Sequence, residues 1–234
     1  MTGGHSKAWY RHNRPVNPFV TGHTRLAAVP FVAELLAYLA EEPIALWEHT
    51  ERDRGAQLPP PFWAFAWAGG QAVARYVLDH PDLVRGKRVL DVAAGSGLIA
   101  IAAAKAGAAS VRAVEIDQLA VDAIGLNAAV NGVPVAAALD DVLAGDGGDG
   151  GDADVVFAGD VFYSREMAGQ MIAFMQRVAA RGATALVGDP GRAYLPRAGL
   201  TRVAEYDVPV VESLEDAPVK RTTVWRVSPG DGKP

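Results

Sequence analysis

In Val89-Leu90-Asp91-Val92-Ala93-Ala94-Gly95-Ser96-Gly97-Leu98, an apolar strand carrying one carboxylate breaks into a loop of small residues and then enters an alanine-rich helix. Strand, small-residue loop and helix in that order mark a nucleotide-type cofactor site. The ligand lies against the loop backbone, and Gly95 and Gly97 take backbone angles that a side chain would forbid. The signal divides two ways. Gly95-Ser96-Gly97-Leu98-Ile99-Ala100 also satisfies the G-x-G-x-x-G/A pattern of dinucleotide sites, and Glu115 stands near the spacing of a ribose-binding acid.

Charge separates the two. Asp91 closes the strand just before the loop, where a dinucleotide's pyrophosphate would bring two negative charges to the helix N-terminus and meet carboxylate repulsion. S-adenosylmethionine instead presents an ammonium and a sulfonium there. Asp91 would then bind the amino group or its ordered water, and Glu115 the ribose hydroxyls. The bland alternative makes Asp91 a strand-end turn residue and Glu115 a solvated acid.

Composition narrows the rest. With 234 residues, half of them hydrophobic, the chain has enough apolar material for one sizeable core. The expected organisation is an N-terminal arm and helical extension over 1–60 and one domain carrying the cofactor site over 61–234. The net charge of −5, with no Lys/Arg cluster, argues against nucleic acid as a partner. No apolar run reaches the roughly 18 residues of a spanning helix, and Met1 to Phe19 is too polar for a signal peptide, so no membrane attachment and a cytoplasmic location are expected. Cysteine is absent, which removes thiol nucleophiles, disulfides and thiolate metal sites. His5, His12, His23, His49 and His80 are scattered and give no ligand spacing, so no metal is expected.

Along the chain, residues 1–20 read as a loose arm. Phe31 to Leu39 reads as an amphipathic helix, with Pro30 in its first turn and Pro43 ending it. A proline-rich link leads to the aromatic run Phe62-Trp63-Ala64-Phe65-Ala66-Trp67, and Gly69-Gly70 opens a helix to about Asp79. Strands are expected near 88–93, 110–115, 134–139, 153–158 and 183–188, with helices near 97–106, 117–131 and 164–181 between them. Residues 201–212 and 219–228 read as two strands able to pair antiparallel. The fold class is thus α/β: a Rossmann-like, seven-stranded, mostly parallel sheet with a C-terminal antiparallel hairpin. Asp91, Glu115, Asp141, Asp160 and Asp189 all fall at carboxyl ends of strands, where such sheets bind ligands. Turn preference also puts Asp there. The Gly/Asp run from Gly145 to Asp152 fits no calcium motif and reads as a loop.

These residues together resemble the class I S-adenosylmethionine-dependent methyltransferases, and within them the family 16 protein lysine methyltransferases, closest to those of the electron transfer flavoprotein β-subunit. The resemblance rests on Pro61-Phe62-Trp63-Ala64-Phe65-Ala66-Trp67-Ala68-Gly69-Gly70-Gln71, the glycine loop, Gly159-Asp160-Val161-Phe162-Tyr163, Gly188-Asp189-Pro190-Gly191-Arg192 and Thr222-Thr223-Val224-Trp225. It implies that Asp91, Gly95 and Gly97 line the methionine end of the donor, Glu115 its ribose and Asp141 its adenine amino group, with Trp67 packed beside it. Asp140 is an equal candidate for the adenine contact, and both Trp63 and Trp67 have a plain alternative as core aromatics. Ala93 departs from the pattern, standing where many class members carry the first glycine of the loop.

The implied reaction is methyl transfer to a protein lysine, with the electron transfer flavoprotein β-subunit as the suspected acceptor. Asp160 is expected to capture and orient the incoming lysine, and Tyr163 to bond the same nitrogen or wall its channel. As alternatives, Asp160 caps the following helix and Tyr163 packs in the core. A small-molecule N-methyltransferase would share the same donor site. A NAD-dependent oxidoreductase and a non-catalytic binding module are the readings from other classes.

Overall fold

The computed structural model describes residues 17–55, 60–144, 148–210, 215 and 217–230. The first described segment is a short helix, α1 (Pro18–His23), followed by a hairpin of β1 (Arg25–Val29) and β2 (Val32–Leu39) and by α2 (Pro43–Arg54). After a 3-10 turn over Phe62–Ala64 come α3 (Ala68–Asp79), β3 (Arg88–Val92), α4 (Leu98–Lys105), β4 (Ser110–Glu115), α5 (Gln118–Val130) and β5 (Ala136–Leu139). The chain continues through β6 (Val155–Gly159), α6 (Arg165–Ala180), β7 (Thr184–Asp189), β8 (Leu200–Pro209) and β9 (Val219–Val227).

Strands β3 to β9 form one seven-stranded sheet in the order β5-β4-β3-β6-β7-β9-β8. The first five are parallel, and β9 runs antiparallel between β7 and β8. The period-two pleat sorts the strand side chains between two cores. Val89, Val155, Phe157 and Leu186 pack with α3, α4, α5 and the hairpin on one face. Leu90, Val92, Val156, Ala158 and Val187 meet Met171, Phe174, Met175 and Val178 of α6 on the other. The order reverses between β3 and β6, so their carboxyl ends open the crevice in which such sheets take ligands.

One expectation fails. Phe31 to Leu39 is not a helix: Pro30 and Phe31 form the turn between Val29 and Val32, which pair across it. Pro43 does not end a helix but opens α2 from its first turn. The reason is tertiary. The Leu36 and Tyr38 amides are taken by Asn131 Oδ1 at 3.1 Å, from the C-cap of α5, and by Asn127 Oδ1 of α5 at 2.8 Å, and the Phe31 amide by Gln71 Oε1 at 3.0 Å. Side chains far away in sequence satisfy the strand's donors, which local propensity cannot register. The expected loose arm becomes α1 from Pro18 on, and its residues 1–16 lie outside the described residues.

The Gly/Asp run is held at the opposite end of the sheet by arginines. Gly145–Gly147 lie outside the described residues. Beyond them, Arg177 donates to the Gly148 carbonyl, Arg181 to those of Asp149 and Ala153, and Arg88 pairs with both Asp152 and Asp154. Among the described residues, no helix is long and apolar enough to cross a membrane.

Candidate active site

Asp91 lies in β3 with no solvent exposure. Its Oδ2 accepts from the Ala100 amide at 3.0 Å, in the first turn of α4, while Oδ1 is buried without a partner. Burial pushes this carboxyl up to about 8, and the nearby charge of Glu115 adds to the rise. Glu115, at the end of β4, reaches back over the glycine loop: Oε1 takes the Gly95 amide at 2.7 Å and Oε2 the Ile116 amide at 3.0 Å. Burial raises its carboxyl as well. Gly95 and Gly97 turn the loop with φ of 55° and 79°. Ala93 adopts φ 52° without being glycine, a conformation that costs roughly 1–2 kcal/mol.

Asp160 follows β6 and is almost buried, at 9% exposure. It holds a left-handed φ of 59°, with its amide bonded to the Gly188 carbonyl at 2.9 Å. Its Oδ2 accepts from the Gly70 amide at the start of α3 (3.0 Å) and Oδ1 from Arg192 Nη2 (2.8 Å). Burial raises this carboxyl and Arg192 opposes the rise. The approach of α3 to β6 and β7 is backbone against backbone. A Cβ on Gly69 would lie 2.3 Å from the Gly188 carbonyl oxygen, and one on Gly159 would lie 2.8 Å from the Gly70 nitrogen. Three glycines therefore bring the helix amide onto the Asp160 carboxylate.

The cap of α6 is Ser164, whose hydroxyl accepts from the Met167 amide at 3.2 Å, so Asp160 is free of that duty. Tyr163 precedes the helix rather than lying a turn into it, and at 49% exposure it is no core residue. Its ring sits 5.4 Å from that of Phe62, and burial followed by the Glu115 charge raises its phenol. Trp67 donates to the Phe62 carbonyl at 2.8 Å, stacks edge-on to Phe62 and carries the Arg192 guanidinium 5.6 Å above its ring. Trp63 is core, as its plain reading had it.

One run of contacts thus leads from Tyr163 past Phe62 and Trp67 to Arg192 and Asp160, and at its Tyr163 end the charge of Glu115 is felt. Asp141 shares the sheet edge but not these contacts: it is exposed, and its Oδ1 accepts from the Leu143 amide at 3.0 Å. Asp140 pairs with Arg112. Asp189 binds the Gly191 and Arg192 amides through Oδ1, both at 2.7 Å, and burial pushes its carboxyl up to about 6.

With this geometry established, similarity to known proteins places the chain. A family profile described as Ribosomal protein L11 methyltransferase (PrmA) matches residues 76–177. The electron transfer flavoprotein beta subunit lysine methyltransferase of Rattus norvegicus is 37% identical over 175 residues, 72% of this chain and 68% of the relative. That of Xenopus laevis is 32% identical over 219 residues, 90% of this chain and 86% of the relative. The chain belongs to the electron transfer flavoprotein β-subunit lysine methyltransferase family. The fold is shared more widely: the crystal structure of a candidate RNA methyltransferase from Pyrococcus horikoshii superposes with a TM-score of 0.51 at 18% identity, over 70% of this chain and 83% of that one.

For this member of the family, residue reading missed four features of the site edge. Arg192 was visible only as the end of an Asp-Pro-Gly turn, although a cation beside an edge of acids is itself a signal. Phe62 was hidden in an aromatic run that mixes core and rim. Ile116 and Leu139, 73% and 55% exposed, stand at the carboxyl ends of β4 and β5 and offer an apolar surface next to Glu115. The signal for the first of these was its place immediately after a strand-end acid, Glu115.

Proposed function

We propose that this chain is a cytoplasmic enzyme that moves a methyl group from S-adenosylmethionine to a lysine of the electron transfer flavoprotein β-subunit. The relatives named for that activity support the acceptor, and the lack of a basic cluster speaks against nucleic acid. The observation that carries the donor assignment is the buried, unpartnered Asp91 Oδ1 beside the glycine loop. A carboxylate stripped of water, with its proton affinity raised, suits an ammonium ligand.

In this reading Asp91 holds the donor's amino group, the Gly95–Gly97 backbone lies against its methionine end and Glu115 takes the ribose. Ile116 and Leu139 flank the adenine, with Asp141 at its amino group, and Trp67 packs alongside. When bound, the donor supplies an electrophilic methyl carbon on a sulfonium and departs, after transfer, as the neutral thioether S-adenosylhomocysteine. The chain's own work is alignment and exclusion of water. Phe62, Trp67 and Tyr163 form the aromatic wall along which the lysine stem enters. Asp160 receives its nitrogen, which needs a free lone pair. With an ordinary pKa near 10.4, only about one lysine in a few thousand is neutral at pH 7, so the seat must favour proton loss to water before transfer. The lone pair would form the new N–C bond as the C–S pair goes to sulfur, and the positive charge ends on the methylated lysine nitrogen, which stays an ammonium at neutral pH.

The test is direct. The purified chain, methyl-labelled donor and recombinant electron transfer flavoprotein are combined, and the β-subunit is digested for mass spectrometry. Label on one or more of its lysines is expected. Label confined to small amines would favour the small-molecule reading and remove the protein acceptor.

A further inference from the structure

We propose that Arg192 is a positioning residue that lets Asp160 receive the acceptor lysine as a neutral amine, because it compensates the carboxylate before the lysine arrives. The inference rests on the reading of Asp160 as the acceptor seat. A bare carboxylate there would work against the reaction: it binds the ammonium and stabilises the proton that must leave. In the structure that carboxylate is never bare. Arg192 Nη2 lies between Asp160 Oδ1 at 2.8 Å and Glu215 Oε1 at 3.1 Å, and the three side chains are only 19%, 9% and 9% exposed.

The backbone is built to keep it there. Asp189 Oδ1 grips the Gly191 and Arg192 amides, and Gly191 turns the chain at φ 88°. The guanidinium rests on the face of Trp67, which is itself tied to Phe62. Oδ1 of Asp160 keeps a second lone pair, so it can accept an N–H from a neutral amine while Arg192 stays bound. Among the described residues, the other charges facing the pair are Asp189 from β7, Glu215, and Lys220 of β9, whose Nζ lies 3.7 Å from Glu215 Oε2. On the β4 side, burial and then the Glu115 charge raise the Tyr163 phenol. With Arg192 in place, loss of the lysine proton leaves a carboxylate balanced by a guanidinium. Without it, the same loss leaves an unbalanced negative charge in a poorly solvated pocket, which holds the proton on.

The reading is tested on the pH dependence of kcat/KM for the protein acceptor, with donor affinity measured in parallel by calorimetry. Arg192→Gln is expected to move the acid limb up by about one pH unit or more while donor Kd stays within about twofold. Arg192→Lys restores most of the wild-type position. Glu215→Gln gives an arm that does not depend on the first variant folding: with its competitor gone, Arg192 serves Asp160 alone and the acid limb moves down. Limbs that superimpose on wild type in Arg192→Gln, or in Glu215→Gln should the first variant not fold, overturn the inference, whatever happens to kcat. Wild-type enzyme that methylates no lysine at all overturns the underlying function instead, and this inference with it.

Discussion

Gly69 and Gly188 pass so close that a single methyl group placed on the first would sit 2.3 Å from the carbonyl oxygen of the second. The same methyl would lie 2.6 Å from Asp160 Oδ2. The first neighbour is backbone, and the second is a buried carboxylate held by the Gly70 amide and Arg192, so the backbone of α3 would have to retreat. Gly69→Ala is therefore expected to cost about 3 kcal/mol of stability, at the upper end for overpacking. It should also part the Gly70 amide from Asp160. Denaturant unfolding together with turnover checks this, and a variant as stable and active as wild type would refute the joint.

Asp160→Asn isolates the charge from the shape. Asparagine tolerates the left-handed φ of 59° better than any other side chain except glycine's absence of one, and it can still accept from the Gly70 amide. What it loses is the charge that Arg192 and the incoming nitrogen answer. Transfer should fall by about 100-fold or more, within the range of a lost general acid–base or orienting group. Donor Kd should stay within about twofold, because Asp91 and Glu115 are untouched. Unchanged turnover would take Asp160 out of the mechanism.

The parts of this fold that are legible in sequence are those whose cause is local. The strands β3, β4, β6 and β7 are short apolar runs, and α4 to α6 fill the intervals between them, so the sheet follows. The hairpin was misread because its burial pattern, with Val32, Leu35 and Ala37 inward, also suits a short helix, and Asn127, Asn131 and Gln71 decide the matter from elsewhere. At the candidate site, acids at strand ends could be placed from the strand pattern alone. Their partners could not. The bond between Asp160 and Arg192 joins the ends of two adjacent strands, and the Glu115 contact to Gly95 joins the end of β4 to the loop after β3, neither of which any spacing in the chain encodes.

Asn127 ties the glycine loop to the N-terminal hairpin. Fully buried on α5, it donates to the Ser96 carbonyl at 2.8 Å and accepts from the Tyr38 amide at 2.8 Å. Asn127→Leu keeps the volume but strands both backbone groups, at roughly 1–3 kcal/mol each where they are buried. The expected result is a lower melting temperature and a donor Kd raised several-fold, with kcat at saturating donor little changed. Differential scanning calorimetry and isothermal titration separate the two effects. Normal donor affinity in a destabilised variant would show that the link serves folding alone.

Asp91 gives the sharpest dependence on pH. Its carboxyl stands at about 8 in the donor-free protein against an ordinary 3.8, chiefly through burial. Between those values the folded chain binds more protons at this site than the unfolded chain, so the Asp91 contribution makes stability fall as pH rises through that window. Asp91→Asn removes the penalty, and the donor-free variant should melt higher than wild type near pH 8. Donor binding demands the opposite. An ammonium on Oδ1 requires the ionised form, so binding at pH 6 to 7 should release close to one proton, and the release should fade above pH 9. Titration in two buffers of different ionisation enthalpy reads that number directly. Asp91→Asn should abolish the release and weaken the donor by at least about tenfold, and a wild-type protein that binds donor with no proton released would show that its ammonium rests elsewhere.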